Sequence, residues 1–168
     1  MYKKFVVVTM LLAGGFVWYN FDGFFPDEKD RIRRELTKLL DHGKVDKKLT
    51  PLQTASTSQK ILNFLDDKTF VSFTYREKEY SKTGKENLKT PLFAGLSRLR
   101  DFKFTLMEDK IKVDGSRAEA SVDVRGRGEI IDYMEFFSEI HKFKLKLQKK
   151  DDQWIIKEIQ HIPRQRFN

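Results

Sequence analysis

The sequence predicts an α+β domain of three helices and a mostly antiparallel sheet, carried behind one N-terminal hydrophobic segment. Three observations predict it. Apolar residues recur at helical spacing in three stretches of the first two-thirds of the chain. They alternate at strand spacing through the last third. Residues 5–19 form an apolar run broken only by Thr9.

Length and composition set the frame. The 168 residues suit one domain plus a short appendage. Aromatic residues make up 13% of the chain, 15 of them Phe, enough apolar material to offset the entropy of ordering a core. Net charge is +8, so lipid head groups, envelope polyanions and nucleic acid are electrostatically favoured partners. The basic residues are spread along the chain, without the dense block that tracks a phosphate backbone, which argues against nucleic acid. The absence of Cys excludes disulfides, thiolate metal sites and the lipidated-Cys route to a membrane.

Lys3 and Lys4 precede the apolar run, and Trp18 and Tyr19 end it. Phe5 to Phe21 is 17 residues, about 25 Å of helix at roughly 1.5 Å per residue, the short limit for a bilayer. Residues 1–21 read as a signal anchor or transmembrane helix, 22–26 as a linker and 27–168 as the α+β domain. A signal peptide cleaved after Ala13 would need a small residue at Leu11, so a retained anchor is expected over a secreted or periplasmic product. Lys3 and Lys4 before the span, and Asp22, Asp27 and Glu28 after it, keep the N-terminus cytoplasmic. In a bacterium this gives a single-pass inner-membrane protein with its soluble domain in the periplasm.

Pro26-Asp27 opens the first helix, whose stripe is Ile32, Leu36, Leu39 and Leu40, and Gly43 closes it. A second helix is expected from a cap at Ser56 or Ser58, with Ile61, Leu62 and Leu65 on its apolar face. Thr69 to Arg76 reads as a strand, and 77–82 as a loop. Thr83-Gly84-Lys85-Glu86 has the capping-box pattern, leading to a helix striped by Leu88, Leu92, Leu96 and Leu99. Pro91 either kinks that helix or begins a new one capped by Thr90. Phe102, Phe104 and Leu106 have the opposite parity to Ile111 and Val113, which predicts a β-bulge at 108–110. Asp114-Gly115 is a hairpin turn. Ala118 to Val124 alternates, 130–138 reads as a hydrophobic connection, and 139–149 alternates again. Trp154 to Ile162 forms the last strand, apolar on both faces.

This element order, with Thr83-Gly84-Lys85-Glu86 and the closing Asp152-Gln153-Trp154-Ile155-Ile156, resembles the nuclear-transport-factor-2-like superfamily, including its polyketide-cyclase-like and ketosteroid-isomerase-like domains. The resemblance covers about residues 27–162. It implies a cone, in which the three helices pack in the concave face of a curved, mostly antiparallel sheet and leave a pocket. It also implies dimerisation through the outer sheet face in many members. Some members are isomerases, cyclases or dehydratases, and others are non-catalytic binding or assembly modules.

Stripe direction places Leu36, Leu40, Leu92 and Leu96 on the helical side of such a pocket. Phe73, Tyr75, Phe104, His141 and Phe143 fall on its sheet side. Enzymes of the family place acid–base groups in the cone; the candidates here are His141, Tyr75 and Asp123, with Asp101 at a strand start. A histidine on an apolar strand face is a general base or a satisfied core residue. The family's acid–base positions do not transfer onto these residues. His42, His141 and His161 lack metal-ligand spacing, and no cofactor is expected.

Two surfaces suit a partner. One is the aromatic connection of Tyr133, Met134, Phe136 and Phe137. The other is the stripe of Lys142, Lys144 and Lys146 on one strand face. The sequence therefore leads to a membrane-anchored, extracytoplasmic, non-catalytic binding or assembly module of the cell envelope. Its expected partners are the membrane, through the N-terminal helix, and a protein or small apolar ligand, and the outer sheet face leaves room for a homodimer. A small isomerase or dehydratase using a pocket His or Asp is the alternative, and a basic module for an anionic polymer or lipid surface is the third.

Overall fold

A computed structural model describes residues 27–75, 78–131 and 135–163. The expected anchor at 1–21 and linker at 22–26 lie outside the described residues. Among those described, no helix is long and apolar enough to cross a membrane.

Helix α1 (Glu28–His42) starts where the Asp27 carboxylate accepts the Lys29 N–H, and ends at Gly43. Its stripe buries Ile32 and Leu36. Helix α2 (Pro51–Leu62) begins five residues before the expected Ser56 cap. Thr50 is the N-cap instead: its hydroxyl accepts from Gln53 N–H, Gln53 reaches back to the Thr50 amide, and Pro51 occupies the first turn. Ser58 consequently lies buried in mid-helix beside Thr54 and Leu62.

Helix α3 (Lys85–Leu96) lacks the expected Thr83–Glu86 capping box. Thr83 is consumed as the last residue of a strand, and Gly84 turns the chain at φ +90° with no side-chain cap. The orphan carbonyl of Thr83 accepts from Asn87 Nδ2 at 2.7 Å. The helix runs through Pro91 as one element.

The strands are β1 (Leu65–Tyr75), β2 (Lys78–Thr83), β3 (Leu99–Asp114), β4 (Arg117–Ile130), β5 (Glu135–Lys150) and β6 (Gln153–Ile162). They form one six-stranded sheet in the order β2-β1-β6-β5-β4-β3, antiparallel except for β1 against β6. β2, expected as a loop, is a fully exposed edge strand held by its pairing to β1. Likewise the expected connection at 130–138 is mostly strand, since Ile130 pairs with Glu135 and Gly128 with Phe137.

Two bulges set which residues face the helices. In β3, Leu106 opposes Val124 and Glu108 opposes Asp123, leaving Met107 as the extra residue, one position before the expected site. In β6, Leu147 opposes Ile156 while Lys146 opposes Glu158, so Lys157 is extra. Each bulge switches the inward parity. Phe102, Phe104 and Leu106 hand over to Ile111 and Val113; Trp154 and Ile156 hand over to Ile159 and His161.

The concave face carries Ala118, Ala120, Val122 and Val124 from β4, Leu145 and Leu147 from β5, and Trp154 and Ile156 from β6. Ile32, Leu36 and Leu62 pack onto it from the helices. Each such aliphatic side chain contributes about 1.5–3 kcal/mol by leaving water. The start of α1 is fixed to the β5–β6 hairpin by Glu28, whose carboxylate accepts from Trp154 Nε1 at 2.7 Å and Lys149 Nζ at 2.8 Å. Arg31 extends this cluster to Asp152 at 2.8 Å. Past α1, Val45 forms a reciprocal backbone bridge with Phe102, which ties the α1–α2 loop to β3.

Candidate functional site

Between the helices and the sheet lies a cavity of about 540 Å³. Leu36, Leu39 and Leu40 of α1, Ile61 of α2, and Leu92 and Leu96 of α3 form one wall. Phe102, Phe104 and Leu106 of β3, with Val122, Val124 and Gly126 of β4, form much of the other. Phe137, His141, Phe143 and Leu145 of β5, Ile156 and Ile159 of β6, and Phe73 of β1 complete it. Of the nine residues expected to line a pocket, Leu36, Leu40, Phe73, Leu92, Leu96, Phe104, His141 and Phe143 are in this lining. The ninth, the Tyr75 side chain, also a candidate acid–base group, lies outside what is described.

Glycines in β4 shape the open end. A Cβ on Gly126 would sit 3.2 Å from Phe102 Cε1 and 3.4 Å from Phe137 Cε1, so its absence lets those rings approach each other across the strand. Phe102 and Phe137 stack at 5.9 Å, and Phe137 lies parallel to His141 at 6.3 Å. Phe137, expected on a partner-docking surface, is instead an inward-facing wall of the cavity. It pairs with Gly128, whose neighbours on the inward face of β4 are Gly126 and Val124, and so shares their side of the sheet.

Among the described residues, His141 is the one member of the lining with a polar side chain. Its Nδ1 is 3.1 Å from Nε2 of His161, and its Nε2 is 3.2 Å from the Glu139 carboxylate. Nδ1 of His161 in turn faces the Thr74 backbone N–H at 3.4 Å. A peptide N–H can only donate, so Nδ1 of His161 accepts and its proton resides on Nε2. That hydrogen points to Nδ1 of His141, which leaves the His141 proton on Nε2, directed to Glu139. Burial and the proximity of His141 hold His161 below its usual pKa of 6.5. The Phe73 ring, 4.5 Å from His161, closes the chain from the β1 side.

Sequence reasoning missed this pair because His141 and His161 looked unrelated. Counted back from the β5–β6 turn, an unbroken ladder would place His161 on the face of Lys142, away from the cavity. The extra residue at Lys157 turns it inward, opposite Phe143. The signal was present as the parity change from Trp154 and Ile156 to Ile159, the same signal that located the bulge in β3.

Asp123, a catalytic candidate, is removed from the site. It alternates with the inward Val122 and Val124 and stands on the convex face, 3.8 Å from Lys142. Asp101, exposed in β3 at φ +48°, lies beside the irregularity between Arg100 and Lys103. Phe136 is on the convex face and 61% exposed, with the Arg127 guanidinium over its ring at 5.3 Å. Tyr133 and Met134 lie outside the described residues. Lys142, Lys144 and Lys146 share the convex face, but the stripe is interleaved with acid: Lys146 pairs with Glu158 at 2.7 Å and Lys142 faces Asp123. Among the described residues no group of three His, Cys, Asp or Glu is placed to hold a metal ion.

No protein-family model and no curated protein matches this sequence. Solved structures do match it in shape. A candidate scytalone dehydratase from Novosphingobium aromaticivorans is 15% identical, with TM-score 0.66 over 80% of this chain and 82% of that one. The association domain of C. elegans CaMKII is 14% identical, with TM-score 0.61 over 81% and 95% of the two chains. A designed NTF2-like protein, 17% identical, superposes with TM-score 0.57 over 81% of this chain and all of its own. Both an enzyme-type and an association-type protein thus share the architecture, and what the likeness identifies is the fold: this chain has the cone fold of the nuclear-transport-factor-2-like superfamily.

Proposed function

We propose that the protein is a non-catalytic binding module whose cone takes up a small apolar ligand. The observation that carries this reading is the cavity lining: twenty-one residues, with His141 alone bearing a polar side chain. Its volume lies in the range of about 300–1,000 Å³ typical of small-molecule sites. The hydrophobic effect alone gives such a surface affinity for an apolar molecule. A naphthalene dye whose emission rises in apolar surroundings should bind the wild-type protein, and Val124→Phe, which projects a ring into the cavity, should abolish binding while the far-UV circular dichroism is retained. Equal binding by a folded Val124→Phe protein rejects the reading.

The isomerase or dehydratase alternative draws support from the His141–His161–Glu139 chain, since a histidine at a cavity wall suits a general base. Against it, no carboxylate is in the cavity lining among the described residues, and both ring lone pairs of the histidine pair already accept hydrogen bonds, so neither is offered to a substrate proton. The anionic-polymer alternative is weakened by the acidic residues set among the convex-face lysines.

Residues 1–21 supply the rest of the proposal: a retained anchor that holds the module on the outer side of a bacterial inner membrane, where tethering raises its effective concentration for envelope components. The low identity to oligomeric association domains leaves a homodimer as part of the same proposal. Membrane fractionation with N-terminal sequencing tests the anchor. A mature chain beginning near Gly14 overturns retention, and recovery of the intact chain in the soluble fraction overturns tethering.

A further inference from the structure

The cavity is apolar everywhere except at one wall, and that wall has a fixed hydrogen-bonding sense. The order of donors runs from the Thr74 backbone N–H to Nδ1 of His161, from Nε2–H of His161 to Nδ1 of His141, and from Nε2–H of His141 outward. Its first member is a peptide N–H, which has no other tautomer. The direction of the whole chain is therefore set by the backbone of β1. With Nδ1 accepting from His161, the one hydrogen on the His141 ring sits on Nε2, at the rim beside Glu139.

The acceptor of that hydrogen is Glu139, a rim residue 60% exposed on its side chain. A carboxylate so exposed keeps most of its hydration, and its 3.2 Å contact with the imidazole is weakly held. A ligand oxygen entering the cavity competes with Glu139 for Nε2–H, and Glu139 can turn to water at little cost. A ligand carboxylate fares worse than a neutral oxygen. It would lose its hydration inside an apolar cavity beside a like charge, with no cation in the lining to offset either.

We infer that His141, locked as the Nε2–H tautomer by His161, selects uncharged apolar ligands that end in a single oxygen acceptor, such as a ketone, over matched hydrocarbons and over carboxylates. This rests on the ligand-binding reading above and gives it a chemical class. His141 is the specificity-determining residue and His161 is a positioning residue, acting through the tautomer it imposes. The rings of Phe137, parallel to His141, and Phe73, beside His161, flank the donor and suit a flat, ring-bearing end of the ligand.

Three naphthalenes of one size test the inference on the folded protein at pH 7.5: 2-acetylnaphthalene, 2-ethylnaphthalene and 2-naphthoate. Titration calorimetry or fluorescence should rank the ketone roughly 3- to 10-fold above the hydrocarbon, the worth of one net hydrogen bond. It should place the naphthoate more than about tenfold below the ketone. His141→Phe should leave hydrocarbon affinity unchanged and remove the ketone's advantage. In ¹⁵N histidine spectra of the wild-type protein, His141 and His161 should both carry the proton on Nε2. His161→Phe should release His141 into a mixture of tautomers and narrow the ketone preference.

Binding of hydrocarbon and ketone with equal affinity, or an Nδ1–H tautomer at His141, overturns the donor assignment and leaves the apolar cavity reading standing. Tightest binding by naphthoate likewise overturns it. Failure of all three probes to bind overturns both. The probe series and the spectra need only the wild-type chain, so neither outcome depends on a variant folding.

Discussion

The two ends of the same concave sheet face are built from the same strands and behave as opposites. At the hairpin-tip end, Ala118, Leu147 and Trp154 share a core with Ile32 and are left almost without exposed surface. The Glu28 cluster holds the start of α1 there. At the other end, Phe73, Phe137, His141 and Phe143 are only partly covered, and they border the cavity instead of filling it. Glycines replace alanines in β4 and aromatic rings replace aliphatic chains. The contrast shows how one sheet divides stability from function: aliphatic jigsaw packing at one end, and at the other large flat side chains that leave a volume no helix enters.

The sharpest test of that division is a pair of truncations. Trp154→Ala should destabilise the protein by about 3–5 kcal/mol in urea unfolding, because it opens a void and removes one of the donors to the Glu28 carboxylate. Phe143→Ala, which enlarges a cavity that already exists, should cost about 1–2 kcal/mol and change ligand affinity instead. Equal losses at the two sites would erase the distinction.

Glycine substitutions come next. Gly128 has φ +153°, and an added Cβ would lie 2.5 Å from both the Asp101 carbonyl oxygen and Phe102 Cα. Gly128→Ala should therefore cost about 2–3 kcal/mol by thermal or chemical unfolding. Gly95 is the counter-case, a helical glycine of α3 with nothing within 4 Å of its added Cβ. Gly95→Ala should stabilise by about 0.5–1 kcal/mol.

Acid should then separate the two ends by pH. Lys149 first, then Trp154, hold the Glu28 carboxyl below 4.5, with Arg31 adding to them against the opposing effect of burial. Arg31 first, then Lys149, hold Asp152 at about 2 instead of 3.8. Both shifts are downward, so the stability they contribute is present above about pH 4.5 and is lost as pH falls toward 2. Glu28→Gln should flatten that limb of a stability–pH profile. The pKa of His161 is also lowered, from 6.5, so protonation opposes folding, and a smaller decline should begin as pH falls through about 6.5. His161→Phe should remove that early decline and leave the acid limb intact.

Much of this division was legible in the linear order of residues. The α1 stripe and its stop at Gly43 followed from spacing, and the parity change between Leu106 and Ile111 located a bulge to within one residue. Other features were hidden by physical competition. Thr50-Pro51-Leu52-Gln53 is as good a helix start as Ser56 or Ser58, and it wins because its box satisfies two amides at once. Thr83 carries a capping signal, yet its backbone is already spent on pairing with Phe70. β2 has no apolar alternation at all; only the open edge of β1 makes it a strand.

Local sequence was enough to specify the elements, because helical and strand periodicity, caps and turn residues act within a few residues of one another. The inward facing of Leu36 and Leu40 on α1, Phe104 on β3 and Phe143 on β5 followed from the same periods. Which polar groups meet inside the cone was settled only by long-range pairing. A single inserted residue at Lys157 reverses the facing of everything after it, and whether that insertion occurs depends on how β6 fits between β5 and β1, partners distant in the chain. His161 meets His141 for that reason, and the direction of their hydrogen-bond relay comes from a backbone amide of β1 that no local pattern connects to either.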